Sequence, residues 1–517
     1  MKKIKLIFGI ILLIAFSLNS DLHAQITSAQ IDELAEKALK EFNVAGIAIA
    51  VVKDGKVIHE KGYGVRSVDT KLPVNENTNF QIASNSKAFT TASLSILVDE
   101  GKLSWKDKVR KYLPEFKMYN DYVTEHFLVE DLLCHRSGLG LGAGDLMQFP
   151  DGTDFTIHDV LTSFQHFEPV SEFRTKWDYD NQLYFVAGEL IARVSGMSWE
   201  QFITTRILQP LGMSNSFAAL ADIKDKTNLA MPHSTVSGPI HTIPHFIEII
   251  NGAPGGIVSN VHDMSKWLLM QLNKGKYGEK QLFSEARQQE MWTIHTVQPG
   301  NSARYNTHFR GYGLGWGLND VKGNLQVGHT GGLPGMLTSV TMIPDLNLGV
   351  IVFTNTENGG GGAFSAIRQT ILDSYLGLDD NKWVELYSNF LRSRSNTTDS
   401  VVNSVWKTVE AAKNTKINTA DYVGVYEDKW FGKTEVFIKN GQLWFRCYRS
   451  PKLNGPMQFY KANTFAIKWE YQDMNADAFA MFALDENGKA QSIKMKGISP
   501  DIDFSFDFQD LDLQRVK

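Results

Sequence analysis

The sequence predicts an α+β fold, with an antiparallel sheet packed with helices beside an all-helical region, followed by a small antiparallel β-barrel. Three observations point there. Apolar hairpins lie toward both ends of residues 26–376, and helical periodicity fills the stretch between them. From Asp421 onward, short strands with alternating aromatics take over.

Taken in order, Lys2, Lys3 and Lys5 precede an apolar run from Leu6 to Phe16, and Leu22-His-Ala24 ends it with small residues. That layout predicts a signal peptide over 1–24, cut after Ala24, and a periplasmic or secreted protein. The run is too short for a retained membrane anchor, and the rest of the chain has no long uninterrupted apolar stretch. Gly46 to Val52 is a continuous apolar strand, turned at Asp54-Gly55 into a partner over Lys56 to Tyr63. A second hairpin joins Leu337–Ile343 to Leu348–Thr354 through Pro344-Asp345. Between them, helices are predicted over Lys87–Val98, Val129–Leu133, Leu183–Val194, Trp199–Ile207 and Val261–Leu272. Residues 377–418 read as a helical linker, loosened at Arg392–Ser400 by Ser, Asn and Thr. The barrel, 419–517, is predicted from strands at Tyr422–Tyr426, Thr434–Lys439, Gln442–Cys447, Thr464–Trp469, Ala478–Leu484, Ala490–Met495 and Asp503–Phe508. Asn440-Gly441 and Asn487-Gly488 supply hairpin turns.

Chemistry concentrates at Ser84-Asn-Ser-Lys87, where an extended run gives way to a helix. A serine hydroxyl needs a proton acceptor beside it before it can attack a carbonyl at neutral pH. A lysine three residues on shares its helical face, and partial desolvation lets that lysine lose its proton. Two further motifs lie far downstream, Tyr179-Asp-Asn181 before a helix and His329-Thr-Gly331-Gly332 after a short strand.

The order Ser-x-x-Lys, Tyr-x-Asn, then a basic residue with Gly two places on, resembles the serine beta-lactamase and penicillin-binding-protein superfamily. It is most similar to the branch holding class C beta-lactamases, DD-peptidases, D-aminopeptidases and esterases. Asp131-Leu-Leu-Cys-His-Arg-Ser-Gly-Leu139, Ala253-Pro-Gly-Gly-Ile-Val-Ser259 and Gly311-Tyr-Gly-Leu-Gly-Trp-Gly317 fall where that family has similar stretches, and the resemblance spans about Ile26 to Leu376. The terminal segment resembles the lipocalin-like accessory domain of the same branch.

The resemblance implies a site between sheet and helical region. It makes Ser84 the acylated nucleophile, Lys87 and Tyr179 one coupled proton-transfer set, and the N–H groups of Ser84 and Gly332 the oxyanion hole. Asn181, His329, Thr330 and Gly331 would contact substrate. True class C enzymes carry lysine where His329 stands, so a histidine, largely neutral near pH 7, weakens recognition of a carboxylate and shifts the expectation from beta-lactams toward esters or amides. The segments 138–173 and 232–254, with Met147, Phe149, Phe155 and Phe164, are expected over the cleft.

A serine hydrolase acting on a small ester, amide or short peptide through an acyl-enzyme is therefore expected. The alternatives are a DD-peptidase or weak beta-lactamase, and a catalytically silent penicillin-binding or peptidoglycan-sensing protein. A net charge of −5 without basic blocks gives nucleic acid no footing, and 13 scattered histidines with two cysteines predict neither a metal site nor a cofactor. Cys134 and Cys447 fall in different predicted domains and are not expected to pair. Self-association into a homo-oligomer is compatible with the sequence.

Overall fold

The computed structural model describes residues 25–236 and 238–516. The predicted signal peptide lies outside the described residues. Among them, the main sheet has eight antiparallel strands: β1 (Gly46–Lys53), β2 (Lys56–Gly64), β3 (Thr296–Val297), β4 (Arg310–Tyr312), β5 (Gly317–Val321), β6 (Asn324–Leu333), β7 (Met336–Ile343) and β8 (Leu348–Thr354). Their spatial order is β2-β1-β8-β7-β6-β5-β4-β3. Strands from both ends of the segment thus meet inside the sheet, one strand in from its β2 edge, where β1 pairs with β8 from Ile47↔Thr354 to Lys53↔Leu348.

β1 and β8 read as unbroken apolar runs because both sheet faces are covered. Ile47, Ile49, Val51, Val350 and Val352 face outward into a cluster with Ile31, Ala35, Ala363 and Ile367. Those residues belong to α1 (Ser28–Glu41) and α5 (Glu357–Tyr375). Ala48, Ala50, Val52, Ile351 and Phe353 face the helical region, built around α2 (Ser86–Asp99), α3 (Gln182–Ser195) and α4 (Val261–Leu272). The helix ends carry their own signals. Thr27 and Gln30 form a reciprocal capping box on α1, Asn260 caps α4 through the Asp263 N–H, and Gly196 ends α3 at φ +74°.

α6 (Trp383–Ala412) runs unbroken for 30 residues, so the expected loosening at Arg392–Ser400 is absent. Weak helix propensity is overridden by tertiary contacts. Arg394 and Thr398 both bond Asp501, and Val405 and Val409 bury against Ala466, Phe479 and Ile498.

The terminal region is a closed antiparallel barrel of β9 (Gly424–Asp428), β10 (Gly432–Lys439), β11 (Gln442–Cys447), β12 (Asn454–Lys461), β13 (Thr464–Ile467), β14 (Ala478–Leu484), β15 (Ala490–Gly497) and β16 (Leu513–Arg515). Tyr426, Phe445, Phe465, Trp469 and Phe482 are buried in its core. β12 escapes sequence reading because Pro456 sits inside it, opposite Trp444; the proline still accepts a hydrogen bond from Lys468 through its carbonyl.

Asp503–Phe508 is not a strand, contrary to expectation. Its alternating phenylalanines serve two bodies instead of one sheet face: Phe508 stacks on Trp469 of the barrel, while Phe504 meets Tyr179 edge-on at 5.7 Å. Between them, the buried Asp507 accepts hydrogen bonds from the backbone N–H groups of Gly144 (2.7 Å) and Leu146 (2.8 Å). The same face is held by Arg449 on Asp154 and Asp159, Lys452 on Asp151, and the ring pairs Phe155–Phe431 and Phe167–Trp430. Cys134 and Cys447 are both buried and unpaired.

Replacing Asp507 with Ala strands two buried N–H donors, each costing about 1–3 kcal/mol. The variant is expected to melt earlier in thermal unfolding and to lose turnover at temperatures where it stays folded, because the 503–506 turn is no longer pinned.

Candidate active site

The approach to α2 is strained and tightly packed. Ala83 adopts φ +51°, a left-handed conformation unusual for a residue with a side chain, and a 3-10 turn over Ala83–Asn85 feeds the helix. From Thr78 to Leu97 every residue is buried except Ser84, which is half-buried and lines a cavity of about 800 Å³. Gly331 of β6 passes so close to this turn that a Cβ there would lie 2.3 Å from the Ile82 carbonyl oxygen and 2.9 Å from Ala83 Cβ. The Asn85 amide bonds Thr338 Oγ1, which donates in turn to the Ile82 carbonyl, so the turn is fastened to the sheet.

Lys87 is fully buried. Its Nζ lies 2.7 Å from Asn181 Oδ1, 2.9 Å from the Pro254 carbonyl oxygen and 3.1 Å from Ser84 Oγ, and it sits over the rings of Tyr179 and Tyr184 at 4.8 and 5.1 Å. Burial pulls its pKa down to about 7, opposed by the nearby acids Asp145, Glu248 and Asp180. Two of the three contacts can only accept. A neutral Lys87 therefore spends both N–H bonds on Asn181 and Pro254 and aims its lone pair at the serine hydroxyl.

Asn181 is oriented from behind by Asp145, which accepts from its Nδ2 at 2.8 Å and from Gln182 at 3.3 Å. One Nδ2 hydrogen is thereby committed, and one remains for substrate. Burial pushes Asp145 up to about 7, against the Asn181 and Gln182 hydrogen bonds. Asp180 and Glu248 are likewise pushed up by burial to about 8. Tyr179 stands next to Ser84; burial raises its pKa, and interaction with Ser84 pulls the other way. Its ring rests on His135 at 4.3 Å, and His135 accepts the Asp180 backbone N–H on Nδ1.

His329 is also near, yet already occupied. Its Nδ1 donates to the Thr330 carbonyl (2.5 Å) and its Nε2 accepts from the Tyr312 hydroxyl (2.8 Å), which fixes a neutral tautomer. Burial, with the Lys87 charge beside it, drives its pKa down to about 3. Gly332 is exposed across the cavity from Ser84, and Thr330 lines the same cavity. The structure thus gathers Ser84, Lys87, Tyr179, Asn181, His329, Thr330, Gly331 and Gly332 around one opening.

Of the apolar residues expected over the cleft, Phe149 lines the cavity, whereas Met147, Phe155 and Phe164 are buried in the core away from it. Asp145, Asp180, Glu248 and Tyr312 were not legible as site residues. Asp145 stood in a stretch of alternating glycines that marked only a loop, and its partnership with Asn181 spans 36 positions. The barrel contributes Tyr471, Asp473, Met474 and Asp503 to Phe506 to the cavity wall, joined by Glu357 from the start of α5. Burial, with Asp503 and Asp473 close by, pushes Glu357 up to about 7. No cluster of His, Cys, Asp and Glu among the described residues fits a metal ion.

A family model described as Beta-lactamase matches residues 31–373, and a domain of unknown function, DUF3471, matches 410–515. Unguisins hydrolase ungD' of Aspergillus campestris is 28% identical over 372 residues, covering 68% of this chain and 67% of the relative. Protein flp of Staphylococcus aureus is 29% identical over 334 residues, 64% of this chain and 63% of its own length. The octameric penicillin-binding protein homologue from Pyrococcus abyssi superposes with a TM-score of 0.60 at 23% identity, over 94% of this chain and all of that one. With the family model matching most of its length, and Ser84, Lys87, Tyr179 and Asn181 converging in its cleft, the chain belongs to the beta-lactamase family of serine hydrolases.

Proposed function

We propose that this protein is a secreted or periplasmic hydrolase that cleaves a small ester or amide, D-amino-acid-containing peptides included, through an acyl-enzyme on Ser84. The observation that carries this reading is the buried Lys87, held by two fixed acceptors and 3.1 Å from Ser84 Oγ. A silent binding protein has no physical use for a desolvated lysine against a serine.

Ser84 Oγ attacks the substrate carbonyl carbon while its proton passes to the Lys87–Tyr179 pair. The C=O bond opens to an oxyanion, which the backbone N–H groups of Ser84 and Gly332 receive. Collapse breaks the bond to the leaving oxygen or nitrogen, and Tyr179 relays the proton to it. A water then attacks the acyl-enzyme, its proton taken by the same pair, and releases the acid with Ser84 restored. Because lysine, tyrosine and the nearby carboxyls interact, the proton belongs to the set and not to one residue. The neutral His329 offers no cation beside the scissile bond, which favours ester and amide substrates over beta-lactams. The fungal relatives are named unguisins hydrolases, which supports a hydrolytic reading.

A fluorophosphonate probe is expected to add its mass to Ser84 and not to the Ser84→Ala protein; an unlabelled wild-type enzyme would remove the acyl-enzyme mechanism. Lys87→Ala and Tyr179→Phe should each lower kcat/KM for p-nitrophenyl esters by roughly 10²–10⁴, and the double variant should lose little more than either alone. The base must be unprotonated to work, so kcat/KM should rise with pH through about 7, the value to which burial brings Lys87. Asp145 is among the acids that hold Lys87 protonated. Asp145→Asn should therefore move the acid limb to lower pH; a limb that stays in place or moves upward would separate Asp145 from the titrating set.

A further inference from the structure

The far end of the cavity holds a cation with no counter-ion among the described residues. Arg368, on α5, lines the same cavity as Ser84 together with Gln369, Thr341, Thr330 and Trp383. Its Nη1 donates to Ser339 Oγ at 3.2 Å, and its head lies 5.9 Å from the Phe364 ring. Its Nε has no acceptor, and among the described residues no carboxylate comes within ion-pair distance. Asp373, on the same helix, is already taken by Arg304, Tyr305 and Trp383. Arginine stays protonated at any physiological pH, and a buried guanidinium without a partner is costly. The side chain is deep in the protein yet half open to the cavity, so what can neutralise it must come through that cavity.

The sheet register shows how a substrate gets there. Ser339, which anchors Arg368, pairs with Thr330, the neighbour of His329 and two residues from Gly332. The partner strand β5 stops at Gly317↔Gly328, leaving His329 to Leu333 unpaired on that edge among the described residues. A chain lying along this free edge has Ser84 on one side and the Arg368 face of the sheet on the other. Glu357, Asp473 and Asp503 line the cavity as well, but the titratable groups that face Arg368 are the phenols of Tyr387 and Tyr305, which burial keeps neutral. Arg310 also lines the wall, exposed and solvated, without the same penalty.

We propose that Arg368 is the anion subsite of this hydrolase, receiving a carboxylate carried by the substrate at a distance from the scissile carbonyl. The planar guanidinium fork suits a carboxylate, and a neighbouring threonine and glutamine side chain can complete its hydrogen bonds. This rests on the serine-hydrolase reading and names its substrate class: monoanionic esters or amides with the negative charge remote from the bond cut.

The test separates binding from turnover. In the Ser84→Ala protein, adipate or suberate should raise Tm by mass action. The rise should vanish when Arg368→Gln is added, shrink with Arg368→Lys, which keeps the charge but not the fork, and persist with Arg310→Gln. In the active enzyme, kcat/KM for the p-nitrophenyl monoester of adipate relative to p-nitrophenyl hexanoate should fall about tenfold or more on Arg368→Gln, as loss of a charge-assisted hydrogen bond implies. The ligand-free Arg368→Gln protein should melt no lower than its parent. A dicarboxylate response that survives Arg368→Gln, an unchanged ratio, or a destabilised variant with an unaltered response would make Arg368 a structural residue and overturn the proposal. If no ester is turned over while the Arg368-dependent Tm rise remains, the hydrolase reading fails and the subsite stands.

Discussion

Everything at this site depends on keeping one lysine dry. Lys87 can be buried only because two acceptors from distant parts of the chain converge on it, Asn181 at the start of α3 and the Pro254 carbonyl in a glycine-flanked turn, beside the Ser84 hydroxyl one helical turn away. Water would supply such partners without any fold, and would also hold the lysine protonated. The protein replaces water with two acceptors that cannot move, and so leaves a lone pair only one place to point. Burial that would be a defect elsewhere thus becomes the means of activating a serine.

That constraint propagates outward. Asn181 can present its oxygen to Lys87 only if its amide is held, and Asp145 holds it. Asp145 lies in the Gly144–Leu146 turn, which is pinned in its turn by Asp507 from the barrel. Three hydrogen-bonded links therefore run from the nucleophile's base to a different fold. The barrel also places Phe504 against the Tyr179 ring and lines the cavity with Tyr471 and Met474. Its interior is packed with buried aromatics, and its contribution to the site is the outer loops.

The parts of this architecture legible in the sequence were those written in local chemistry. The two hairpins, α4 and most barrel strands announce themselves through turns and periodicity, and Ser84 and Lys87 through a three-residue spacing. What stayed hidden depended on distance. The Ser/Asn/Thr-rich part of α6 looks loose until Asp501 reaches it from more than a hundred residues away. Phe504, Phe506 and Phe508 alternate as a strand would, because residues shared between two cores obey the same apolar demand as residues on a sheet face. Asp145 and Arg368 carry no motif at all. Each is meaningful only through what it touches, or, for Arg368, through what it lacks.

The exchange of a lysine for His329 gains its sense from this layout. A permanent cation beside the nucleophile would select an anion next to the scissile bond and would also repel the proton that Lys87 must accept and give up. His329 removes that charge: its imidazole is neutral, with both ring nitrogens engaged by Thr330 and Tyr312. The charged side chains of the cavity lie toward its ends instead, Glu357, Asp473 and Asp503 at the barrel and Arg368 beyond the free edge of β6, where the proposed anion subsite would read a substrate's charge. A site neutral at its centre and charged at its ends discriminates by the span between charge and carbonyl, a property that the catalytic residues by themselves cannot supply.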